Sequence, residues 1–124
     1  MSLSTYTPSN DALLLSCNVN LVSRGMKSNA LHLTLGEHGY RILDFALYLY
    51  DKPYTVPEEY SAELRIHKDI VVQALGINQS NTHVYFPITE DMTKKKGKTW
   101  AVVSLLNAED KVAATSNILI NITS

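Results

Sequence analysis

Apolar residues fall at every second position over most of this chain, and the pattern is clearest in the last third. Val84, Phe86 and Ile88 come first, Trp100, Val102 and Leu106 follow, and Ile118, Ile120 and Ile122 come last, with turn-forming residues between the runs. Alternation of this kind describes strands that pack one face against a core, so it predicts an antiparallel β domain and carries no hint of catalysis.

The same period runs through the rest of the chain. Leu13, Leu15, Cys17, Val19 and Leu21 alternate with Ser16, Asn18 and Asn20, which predicts a long first strand ending at Ser23-Arg24-Gly25. Leu31, Leu33 and Leu35 predict a second strand, stopped by Gly36-Glu37-His38-Gly39. From Arg41 to Tyr50 both faces are apolar, as in a central strand covered on each side or a buried helical turn. The prolines of Asp51-Lys52-Pro53 and Val56-Pro57 predict a loop.

Period two returns with Tyr60, Ala62, Leu64 and Ile66 on one face and Ser61, Glu63, Arg65 and His67 on the other. Lys68-Asp69 is read as a hairpin turn into a strand from Ile70 to Leu75, and Gly76 to Asn81 as a turn cluster. Thr82 to Ile88 is a strand with Pro87 at its end, and Thr89 caps a short helical turn through Met92. Strands from Thr99 to Leu106 and from Ser116 to Ile122 flank a turn at Asn107 to Lys111. About eight strands without a long helix predict an all-β fold, an antiparallel β-sandwich of the immunoglobulin-like or jelly-roll-like kind. Residues 1–10 are polar and hydroxyl-rich, a flexible N-terminal arm that needs docking to be ordered, and residues 11–124 form a single sandwich domain.

Length agrees with that division, since 124 residues suit one domain that buries roughly two thirds of its unfolded surface. A formal charge of −1 offers no global attraction to phosphate backbones or anionic lipid, so nucleic acid and membrane are not expected partners. Asp44 and Asp51 interrupt the longest apolar stretch, far short of the roughly 20 residues of a membrane span. Cys17 is the lone cysteine and lies in an alternating apolar run, which makes it a small buried hydrophobe.

Candidate chemistry is sparse. Gly97-Lys98-Thr99 matches the end of a phosphate-binding loop, but Met92 stands where its first glycine belongs, and a strand follows instead of a helix. The four histidines, His32, His38, His67 and His83, lack metal-ligand spacing, and the carboxylates fall mostly in turns. No nucleophile elbow accompanies any serine, so no enzyme, cofactor or metal is expected. Lys94, Lys95, Lys96 and Lys98 form a basic cluster that fits a solvated turn, or a surface for a phosphate or an acidic partner. Tyr48, Tyr50, Tyr54 and Tyr60 crowd the proline loop, where they either fill the core and sheet face or present a platform for sugar or protein. These eight lysines and tyrosines are the candidate binding residues.

A family resemblance lies in the same C-terminal third. His83-Val84-Tyr85-Phe86-Pro87-Ile88-Thr89-Glu90-Asp91-Met92-Thr93, then Gly97-Lys98-Thr99-Trp100-Ala101-Val102-Val103, then Ser116-Asn117-Ile118-Leu119-Ile120-Asn121-Ile122 resemble the N-terminal domain of the phage baseplate upper proteins. The shared pattern is a strand, a turn of the Thr-x-x-Met-Thr type, a Gly-Lys opening the next strand, a charged hairpin and a final strand. Upstream, Tyr60 to Lys68 is similar to a family strand that ends in a Lys-Pro-Asp-Gly turn, whereas this chain has Lys68-Asp69-Ile70. Ile118 also departs from the aromatic residue usual there.

The resemblance implies a non-enzymatic β-sandwich in a phage or prophage tail, a virion protein made in the bacterial cytoplasm. It implies partners among other tail and baseplate proteins, attachment of receptor-binding proteins to the tail tip, and a homo-oligomer in the assembled baseplate. From the residues alone, a carbohydrate-binding or adhesive immunoglobulin-like module of a bacterial surface protein is the alternative, with the tyrosine loop as its platform.

Overall fold

Alternating apolar residues become buried strand faces in a computed structural model that describes residues 3–21, 30–67 and 69–124. Ten strands are formed there. The first five are β1 (Leu13–Asn20), β2 (Leu31–Thr34), β3 (Arg41–Leu49), β4 (Lys52–Pro53) and β5 (Ser61–Ile66). The others are β6 (Ile70–Gln73), β7 (Gly76–Ile77), β8 (His83–Pro87), β9 (Gly97–Leu106) and β10 (Val112–Thr123), with a 3₁₀ turn at Glu90–Thr93 between β8 and β9. One sheet has the order β1-β3-β8-β7 with β4 added to β3, and the other has the order β2-β10-β9-β5-β6.

The all-β sandwich expected from the pattern is present, with two additions. The short strands β4 and β7 lie where the sequence reads as loop and turn, because two residues are too few to show a period. Both sheets are mixed, since β1 pairs parallel with β3 and β2 pairs parallel with β10. The chain passes from β1 to the opposite sheet and returns as β3, and such a crossover brings a strand back in the same direction. The turn read at Ser23-Arg24-Gly25 and the residue Lys68 lie outside the described residues.

Leu43, Phe45 and Leu47 of β3 and Val84 and Phe86 of β8 face Leu64, Val103, Leu105, Ile118 and Ile120 of the other sheet, all buried. Full burial of each such side chain stabilises by about 1.5–3 kcal/mol. The rings of Phe45 and Phe86 lie 5.4 Å apart and tilted by 47°. Cys17 is buried here as a core hydrophobe.

One phase differs from the sequence reading. On β9 the inward residues are Ala101, Val103 and Leu105, while Trp100, 63% exposed, Val102 and Leu106 belong to the outer face. Every residue of Trp100-Ala101-Val102-Val103 is apolar, so hydrophobicity could not tell the two faces apart. The face is decided by pairing, which sets Ala101 opposite Ile118 and Trp100 opposite Leu119.

Residues of the N-terminal arm dock on the free edge of β7. Thr5 bridges Ile77 in parallel, the Tyr6 amide donates to the Ile77 carbonyl at 2.8 Å, and the Ile77 amide donates to the Ser4 carbonyl at 3.0 Å.

Candidate binding surfaces

The lysine turn is built on an anchored base. Thr89, extended at φ −102° and ψ 159°, starts the 3₁₀ turn, and its amide donates to Met92 Sδ at 3.3 Å. Met92 and Thr93 are buried, and the Thr93 hydroxyl donates to the Glu37 carbonyl at 2.8 Å. The Gly36 amide returns a bond to the Thr93 carbonyl at 2.9 Å, so the turn is tied to the loop joining β2 and β3. That loop is itself clamped, because Arg41 grips the Glu37 carboxylate through Nε at 2.6 Å and Nη2 at 2.8 Å. The Arg41 guanidinium holds the Glu37 carboxyl below its ordinary value of 4.5, against a smaller opposing effect of burial.

Lys94, Lys95, Lys96 and Lys98 project from this base into solvent. Lys94 meets Asp91 at 3.2 Å, an exposed pair worth little on its own. Lys95, Lys96 and Lys98 form no ion pair among the described residues. The four lysines line one wall of a groove of about 480 Å³. His67 and Asp69, from the connection between β5 and β6, line the groove as well, and Ile70, Met92 and Ile122 supply its apolar part.

The tyrosines lie at the other end of the sandwich. Strand β9 runs from Gly97, beside the lysines, to Leu106, which pairs with Ser61 next to Tyr60. Ten residues of strand put about 30 Å between the two ends. Tyr54 and Tyr60 are half-buried and pack against the core, and burial, with a smaller contribution from Tyr60, raises the Tyr54 phenol above its ordinary 10.0. Tyr48 is half-buried on β3 opposite Pro53. Tyr50 alone of the four is fully displayed, 73% exposed at the tip of the β3–β4 hairpin, where it and Asp51 have φ of 51° and 63°. Positive φ at both central residues is the signature of a type I′ turn. The four tyrosines thus divide into packing residues and one exposed tip.

Two features escaped the sequence reading. The first is the outer face around Trp100, where Val102 and Leu119 are half-buried and Val71 is exposed. The double-sided apolar pattern of β9 was the available signal. The second is a polar cluster on the outer face of the other sheet, formed by Ser16, Asp44 and His83. The Ser16 hydroxyl donates to Asp44 Oδ2 at 3.3 Å, and His83 Nδ1 lies 2.7 Å from Asp44 Oδ1.

These are the residue types of a hydrolase triad in a different order. A triad needs the imidazole between hydroxyl and carboxylate, so that it can take the hydroxyl proton. Here the carboxylate is in the middle, and no hydrogen bond joins Ser16 to His83 among the described residues. The arrangement satisfies a buried aspartate and does not bond the serine to the imidazole. Among the described residues no group of three or more His, Cys, Asp or Glu side chains is placed to hold a metal ion.

The whole sandwich is similar to a solved structure, the "N-terminal domain of phage TP901-1 ORF48". The two agree with a TM-score of 0.75 over 90% of this chain and 99% of that one, at 7% sequence identity. No protein-family model and no curated protein matches the chain. At that identity the likeness is one of fold, and it extends over nearly all of both chains.

Proposed function

We propose that this protein is a non-catalytic structural component of a phage or prophage tail, a β-sandwich that attaches receptor-binding proteins to the tail tip. The observation that carries the reading is the fold likeness, since one domain of a phage protein is matched over 99% of its length. The motifs from His83 to Ile122 support it by a separate route, because they resemble the N-terminal domain of baseplate upper proteins. Backbone shape and short residue motifs are different kinds of likeness, and both lead to an N-terminal domain of a phage protein.

Attachment would work through surfaces, in several copies. A tail tip is symmetric, and repeated weak contacts between the same partners add up to stable attachment. The anchored lysine turn and the Tyr50 tip are the surfaces for it, one at each end of the sandwich.

Immunogold electron microscopy tests the reading, with antibody to this domain applied to induced tailed particles and to whole cells of the source strain. Gold at the tail tip is the expected result. Gold confined to the cell envelope would overturn it.

A further inference from the structure

The groove beside the 3₁₀ turn combines two properties that rarely meet on a solvated turn. Its lysine wall is fixed at the base, because Met92 and Thr93 are buried and Thr93 is bonded to Glu37 across the fold. Its charge is locally positive on a chain whose net charge is −1, with four lysines against Asp69 and Asp91 among its lining residues. Lys94 already answers Asp91, which leaves Lys95, Lys96 and Lys98 without a carboxylate among the described residues.

We propose that this groove binds an extended, acidic polypeptide segment of a partner protein. Carboxylates of the segment would meet Lys95, Lys96 and Lys98, and one apolar side chain would rest on the half-buried Ile70. Charge complementarity argues for an acidic occupant, and the partly exposed Ile70 beside the lysines argues for a polypeptide over a bare phosphate. A nucleic acid fits less well: no aromatic side chain lines the groove for base stacking, and the wall is lysine throughout, without arginine to grip phosphate in a fork. Assigning the occupant to a protein rests on the tail-component reading above.

The test is fluorescence anisotropy on the full chain, with a short fluorescein-labelled peptide of alternating glutamate and alanine around a central leucine. Binding should weaken roughly tenfold or more in the charge-reversed variant K95E/K96E/K98E, and also as salt is raised. The neutral variant K95Q/K96Q/K98Q should fall between, and it serves alone if the reversed chain melts early. A matching peptide with glutamine in place of glutamate should not bind.

Failure of the acidic peptide to bind at millimolar concentration would overturn the proposal, as would equal binding by the lysine variants. Tighter binding of oligo-dT or pyrophosphate than of the peptide would overturn it in favour of a phosphate site. Because the assay uses the isolated chain, it is independent of where immunogold places the protein. Peptide binding with gold on the envelope would sink the tail reading and leave the groove standing, and gold at the tail tip without peptide binding would do the reverse.

Discussion

Tyr6 crosses Gly76 so closely that a Cβ added to the glycine would lie 2.6 Å from the Cβ of Tyr6. The contact lets the arm form backbone bonds with β7, and it seats the Tyr6 ring against Tyr85 at 5.4 Å between centroids. Residues of the arm therefore take the place of a neighbouring strand on β7, the kind of cover that exposed sheet edges need.

Gly76→Ala should displace the arm, because one of the crowded atoms is the Ser4 backbone carbonyl, which cannot rotate away. The expected loss is about 2–3 kcal/mol, the range for overpacking at a close approach. Urea denaturation checks it, and in a chain that begins at Pro8 the same change should cost less, about 1–2 kcal/mol, since the arm contacts are then gone while alanine is still strained at φ 157°.

The Glu37–Arg41 clamp predicts a pH dependence of stability. Glu37 has its folded pKa lowered, chiefly by the Arg41 hydrogen bonds, so the ionised form is the one that folding favours. Its contribution is full above the ordinary value of 4.5 and is lost as pH falls through the lower folded value. Glu37→Gln should cost about 1–2 kcal/mol at neutral pH and flatten the acid limb of a stability profile. Thermal melts of both chains from neutral to acid pH read the difference.

Two aspartates hold backbone that glycine adopts more easily. Asp51, at φ 63° in the β3–β4 hairpin, and Asp110, at φ 60° in the β9–β10 hairpin, are both exposed. The Asp110 amide closes its loop onto the Asn107 carbonyl at 2.9 Å. Asp51→Gly and Asp110→Gly should each stabilise by about 0.5 kcal/mol, because relief of left-handed strain slightly exceeds the added freedom of the unfolded chain. A rise in Tm of roughly 2 °C for each is the expected calorimetric result.

The two faces of β9 should respond differently to truncation. Leu105→Ala removes fully buried side-chain atoms and should cost about 2–4 kcal/mol, whereas Trp100→Ser on the outer face should cost under about 1 kcal/mol. Chemical denaturation measures both. Acrylamide should quench Trp100 efficiently in the folded chain, since it is the only tryptophan and is mostly exposed.

Residue order alone determined that this chain is all-β and which face of most strands turns inward. Ile118, Ile120 and Ile122 could bury only one way, because Asn117 and Asn121 cannot lose water without a partner. The capped turn at Thr89 and the hairpin at Asn107 to Lys111 were legible for a similar reason, being set by residues within a few positions of one another. The lysine cluster was legible as charge, but its fixed base was not, since Thr93 and Glu37 are 56 residues apart in sequence.

Tertiary structure decided what depends on pairing between distant segments. It set the inward face of β9, where both faces are apolar and only the register with β5 and β10 chooses between them. It made β1 and β3 parallel, because the direction of a returning strand follows from the crossover through the second sheet. It separated the tyrosines into core packing and one exposed tip, and it put Asp44 between Ser16 and His83. Local pattern reports how much water a residue tolerates; which residue it meets is settled by the closure of the two sheets over one core.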